Sequence, residues 1–176
     1  MSCYLEKQAG KLNAVLIFKR DQLLYDIKNA AFIEGRVMEG DADMGRRRAI
    51  VQDVGEDGNV DRVTRMLDLA MARCREMLYP YTKHAVVRGE LDNRLREREV
   101  FGVVMSVPED FSQTSLVLLK ELIHEYLVCK ALGDWLGMTY PEKAQMWEAK
   151  AESAAQEIRT NLNARIGRVR RRMHPF

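Results

Sequence analysis

A chain of 176 residues with a formal net charge of +2 and 47% hydrophobic residues has material for one sizeable core. So small a net charge excludes a protein that coats nucleic acid over its whole surface, and leaves only local basic segments to consider. Three scattered cysteines, Cys3, Cys74 and Cys129, share no CxxC spacing, which argues for a reducing compartment and against a disulfide frame or zinc site. No apolar run approaches the roughly 18 residues of a membrane span. Residues 14–18 are too short an apolar stretch, and lack the cleavage pattern, for a secretory signal. The expectation is a soluble protein made in the cytosol, with no membrane partner.

In chain order, the N-terminal 18 residues carry the weakest pattern. Residues 4–11 suit a helical turn, and residues 14–18 a short strand or the lead-in to a helix. The first clear helix begins at Asp21, a suitable N-cap. Leu23, Leu24, Ile27, Ala30, Ala31 and Glu34 follow at helical spacing, and Gly35 and Gly40 weaken and then end it. Residues 40–59 are polar and glycine-punctuated. They read as a long surface loop with a short extended piece at Ala49, Ile50 and Val51, either a solvated connector or a functional loop.

The second helix runs from Asn59 or Val60 to Leu78. Val63, Leu67, Ala70, Cys74 and Met77 mark its apolar face, with Arg62, Arg65, Arg73 and Arg75 mostly off it. Tyr79, Pro80 and Tyr81 stop it. Residues 84–107 then change period. Valine-rich runs at 85–87 and 100–107 flank a turn at Leu91, Asp92, Asn93 and Arg94, which predicts a β-hairpin. A lone hairpin is marginal in water, so it should pack on the helices or join a sheet with a neighbouring subunit.

Asp110 and Gln113 predict the start of a third helix. Leu116, Leu119, Leu122, Ile123, Tyr126, Leu127, Cys129 and Leu136 make its apolar face too wide for a peripheral position. Lys120, Glu121, His124 and Glu125 form its polar stripe, and Gly137 suits its end. The fourth helix opens on Thr139, Tyr140, Pro141 and Glu142, a capping box with proline in the first turn. Ala144, Trp147, Ala151, Ala154, Ile158 and Leu162 follow near heptad spacing, and Gly167 closes it. Beyond lies a polybasic tail too poor in apolar residues to fold alone.

Chemistry is sparse. His124 and Glu125 begin a zincin-like pattern, but Val128 stands where the second histidine belongs, leaving a solvated histidine. Asp53, Glu56, Asp57 and Asp61 cluster around Gly55 and Gly58 without the alternation of a calcium loop. No phosphate-binding glycine loop or nucleophile elbow occurs. No cofactor, metal or catalytic residue is therefore assigned. The densest feature is the arginine set Arg159, Arg165, Arg168, Arg170, Arg171 and Arg172, unbroken by acidic residues. Three readings fit it: a solvated tail, a docking peptide, or a DNA contact. Met173, Pro175 and Phe176 add apolar anchors that DNA does not need and so favour docking.

The helix order and basic C-terminus resemble the head–tail connector (adaptor) proteins of tailed bacteriophages and prophages. The resemblance lies in residues 118–127 (LLKELIHEYL), 131–136 (ALGDWL) and 149–166. It implies a helix pair following a more variable N-terminal half. It also implies a cyclic homo-oligomeric ring of about twelve subunits, contacting its own copies head to tail. The portal protein and an adjoining neck or tail protein would be its partners. Proximity to passing DNA would be non-specific, and its location the virion's head–tail junction after synthesis in the bacterial host cytoplasm. The assembled expectation is a mainly α, four-helix bundle-like domain over residues 1–167, with a β-hairpin at about 84–107 and an extended basic tail at 168–176. Partner binding falls to Arg165, Arg168, Arg170, Arg171, Arg172, Met173, His174, Pro175 and Phe176. Subunit contacts fall to Arg46, Arg47, Arg48, Asp92, Asn93, Arg94 and Arg96. The alternative is a DNA-binding regulator using the arginine-rich segments; an enzyme ranks last.

Overall fold

The computed structural model describes residues 4–8, 11–38, 42–82 and 98–162. Its order is β1 (Tyr4–Gln8), β2 (Lys11–Lys19), α1 (Arg20–Val37), α2 (Ala42–Gln52), a 3-10 turn (Asp53–Gly55), α3 (Asp57–Met77), α4 (Tyr79–Thr82), β3 (Val100–Pro108), α5 (Gln113–Thr139) and α6 (Pro141–Asn161). The fold is mainly α with a small antiparallel β element, as the sequence predicts.

α5 is the hub. Its 27 residues are buried on most sides, including Leu119, Ile123, Leu127, Leu132 and Leu136, which are fully enclosed. Each such side chain contributes on the order of 1.5–3 kcal/mol by leaving water. The helix starts at Ser112, whose hydroxyl accepts from the Ser115 amide at 3.4 Å, two residues beyond the expected Asp110 cap. It runs through Gly137 to Thr139, whose hydroxyl donates to the Trp135 carbonyl at 3.1 Å. α6 then turns back along it: Gly133 faces the backbone of Trp147 and Glu148. A Cβ there would meet the Glu148 nitrogen at 3.4 Å, so a residue without one lets the antiparallel pair close. Ala144, Ala151, Ala154, Ala155 and Ile158 bury α6's inner face. α1 and α3 also pack on α5, which completes a bundle of four long helices.

The sheet corrects the reading of the first 18 residues. Residues 4–8 form a strand, where a helical turn was expected, and residues 11–19 a longer one. The three strands lie in the order β1-β2-β3, all antiparallel, with Leu12 opposite Val107 and Leu16 opposite Val103. Residues 100–107 are thus a strand as predicted, but their partner is β2. The expected first arm at 85–87 and its turn lie outside the described residues. Strict alternation buries Leu12, Ala14, Leu16 and Phe18 on β2 and Phe101, Val103, Met105 and Val107 on β3 against the helices. Arg75, from α3, closes part of β3's far side by donating to the Gly102 carbonyl at 3.2 and 2.7 Å.

The second correction is α2. Residues 42–52, read as loop with an extended piece at 49–51, are helical. Arginine is a good helix former, and the three arginines outweigh the single Gly45 in this short segment. Tertiary contact supplies the rest: Val51 is fully buried, and the Trp135 indole donates to its carbonyl at 3.1 Å.

Candidate functional site

Two polar ties pin α1 to the α5–α6 pair. Near its start, Asp26 takes the Gln22 amide at 3.1 Å and lies 2.8 Å from His124 Nε2. His124 was expected as a solvated residue on a polar stripe. It is half-buried, 6.5 Å from the Phe18 ring by centroids, and bridges two helices. Near the end of α1, the buried Glu34 accepts from the Trp147 indole at 3.1 Å, with Lys143 at 3.8 Å. A buried carboxylate so supplied with donors is held in place by its partners. Glu34 sits within α1's apolar stripe, and its spacing of three from Ala31 and seven from Ile27 was the sequence hint that it faces inward.

Between α3, α5 and α6 lies an open groove of about 640 Å³. Arg73, Glu76, Tyr126, Lys130, Glu152 and Arg159 line it. Several of its charges are matched within the chain: Arg159 reaches Glu152 at 3.3 Å, and Lys130 reaches Asp134 at 2.7 Å. Burial raises the Tyr126 hydroxyl above its ordinary value, the neighbouring Cys74 adds to this, and Arg73 opposes it. The phenol is thus held protonated at neutral pH, a donor and not a base. The groove thus carries both signs of charge. Behind it the Cys74 thiol is pushed up to about 12 by burial, and Cys129 to about 11. Both are inert structural thiols at neutral pH. Among the described residues, no group of three or more His, Cys, Asp or Glu is arranged to hold a metal ion.

The residues singled out from sequence divide in three. Arg46 and Arg47 stand exposed on α2. Arg48 turns inward and donates to the Met38 carbonyl, tying α2 to the end of α1. Asp92, Asn93, Arg94 and Arg96, together with Arg165, Arg168, Arg170, Arg171, Arg172, Met173, His174, Pro175 and Phe176, lie outside the described residues. The structure also displays something the sequence reading passed over: α1 carries exposed apolar side chains outside its buried stripe, among polar ones. Tyr25, Phe32, Ile33 and Val37 are exposed opposite its buried stripe, and Ile50 of α2 is exposed as well. The signal was present in the i, i+7 spacing of Tyr25 and Phe32. It was masked by the stronger buried stripe.

No family model, curated protein or solved structure matches the chain. No helix among the described residues is long and apolar enough to cross a membrane.

Proposed function

We propose that this chain is a structural subunit of a phage head–tail connector ring, joining the portal to the tail around the DNA passage. The observation that carries the reading is the α5–α6 pair. The described residues on which the resemblance rests lie within a single antiparallel hairpin, with Leu119, Leu122, Ile123, Leu132 and Trp135 buried and Gly133 at the close approach. A ring subunit needs such a rigid body, with extensions for its neighbours and no chemistry of its own. The use of polar side chains as internal struts (His124, Glu34, Trp147, Arg75) supports the same reading. Residues 168–176 would dock on the portal or the adjoining ring. Deleting them should leave helicity and melting temperature unchanged while attachment to the portal is lost. Undiminished attachment removes the tail's assigned role.

A DNA-binding regulator is the second reading, favoured by the exposure of Arg46 and Arg47 on one helix. Phosphate binding would weaken steeply with salt. Fluorescence anisotropy of a labelled duplex between low and physiological salt separates the two. Tight, steeply salt-dependent binding by the isolated chain supports the regulator, and its absence supports the connector.

A further inference from the structure

We propose that the groove between α3, α5 and α6 binds a small zwitterion of the α-amino-acid class with an apolar side chain. Tyr126 and Arg73 take its carboxylate, and Glu76 takes its ammonium. The proposal is independent of the ring reading.

Tyr126 is the group that asks for a ligand. It is only 6% exposed, yet it lines the groove, and its hydroxyl has no hydrogen-bond partner among the described residues. A tyrosine so enclosed ordinarily finds a partner for its O–H, because an unmade bond leaves the desolvation of that group uncompensated. The comparable donors between these helices each have one. The Trp135 indole reaches the Val51 carbonyl, the Trp147 indole reaches Glu34, and the Tyr81 hydroxyl donates to the Leu162 carbonyl at 3.1 Å. Tyr126 departs from that pattern where its side chain meets the groove. A phenol that stays protonated at neutral pH donates, so what it lacks is an acceptor.

The charges indicate what carries that acceptor. Arg73 lies near enough to the phenol to oppose the rise in its pKa. Lys130 and Arg159 are matched by Asp134 and Glu152, whereas Arg73, Glu76 and Glu148 have no ion-pair partner among the described residues. The lining holds three cations and three carboxylates, so a ligand of one sign would meet repulsion as well as attraction. A neutral polyol would leave the free guanidinium and carboxylates without counter-charges. A zwitterion supplies both and leaves the net charge unchanged. Arg73 and Glu76 stand three residues apart on α3, a spacing that puts Cβ atoms about 5–6 Å from each other. Opposite charges borne on one carbon, as in an α-amino acid, suit so short a spacing. Met77, Ala151 and Ala155 offer apolar lining for the side chain, and the volume of about 640 Å³ is in the range of small-molecule sites.

Isothermal titration calorimetry of the full chain with L-leucine tests this, beside isocaproate, which lacks the ammonium, and isoamylamine, which lacks the carboxylate. Leucine should saturate the chain below about 10 mM, and each analogue should bind roughly tenfold more weakly or worse. Tyr126→Phe should weaken leucine about tenfold with an unchanged melting temperature, since the hydroxyl holds no bond within the fold. Glu76→Gln should erase the advantage of leucine over isocaproate, a pattern that a loosened fold does not produce. Leucine that fails to saturate overturns the proposal, as does full affinity in Tyr126→Phe. Isocaproate binding as tightly as leucine makes the groove an anion site and overturns the zwitterion.

Discussion

α5 and α2 are both helices, and they are held in opposite ways. α5 keeps its place by enclosure: from Leu119 to Leu136 its apolar side chains are packed on most of its circumference. α2 buries one described side chain fully, Val51, and is otherwise held by directional bonds to its backbone or from its side chains, three of them to other elements' polar groups. These are the Trp135 indole to the Val51 carbonyl, Arg48 to the Met38 carbonyl, and Gln52 to the Phe32 carbonyl at 3.3 Å. Enclosure draws on many small contacts and tolerates the loss of one polar bond. Tethering draws on a few directional bonds, so α2 should open locally long before the bundle unfolds.

The largest effect should come from damaging the enclosure. Leu127→Ala leaves a cavity at the centre of α5 and should cost about 3–4 kcal/mol. Urea denaturation would show this as a lower midpoint with an unchanged slope. A loss confined to one segment would break the contrast between the two helices. Next, Trp135→Phe removes the donor to Val51 and should cost about 1–2 kcal/mol. Its particular signature is faster amide exchange in α2, with α5 and α6 still protected; uniform acceleration would mean that α2 is not separately tethered. A smaller change is expected at the α1–α5 strut. Asp26→Asn removes the charge beside His124 at a site that is still partly solvated, and should cost about 0.5 kcal/mol after screening. The difference from wild type should shrink further in 1 M salt.

The smallest effect at neutral pH concerns Cys74. Its folded pKa, pushed up to about 12 from 9.0, lies above the unfolded value. The unfolded chain therefore binds fewer protons between those limits, and the group's contribution to stability is intact below pH 9 and lost as pH rises toward 12. Cys74→Ala should flatten the fall in melting temperature over that window while leaving pH 7 behaviour governed by packing alone. Peptide mapping after alkylation at pH 8 should find Cys74 and Cys129 unmodified in the native protein and modified in urea.

The long helices were legible because their signal is local. In α5 and α6, apolar residues recur at 3.6-residue spacing over five or more turns, and Pro141 marks a boundary that no fold can move. Helix ends were less legible, since Gly137 is compatible with stopping or continuing and the next turn decided. α2 was missed because its polar, glycine-bearing sequence offers no stripe; one buried valine and a tryptophan 84 residues away make it a helix. The exposed apolar residues of α1 were readable in the sequence but could not be recognised as exposed until the buried stripe had been placed.

Sequence alone thus determined which segments of this protein are long amphipathic helices, because helical hydrogen bonds and the spacing of apolar side chains are both set within a few residues. Only the tertiary structure decided the rest. Residues 100–107 took β2 as their partner across more than 80 residues of chain, since strand pairing is set by which edge the packed helices leave within reach. The same packing turned His124 from a solvated side chain into a strut, and left one face of α1 uncovered.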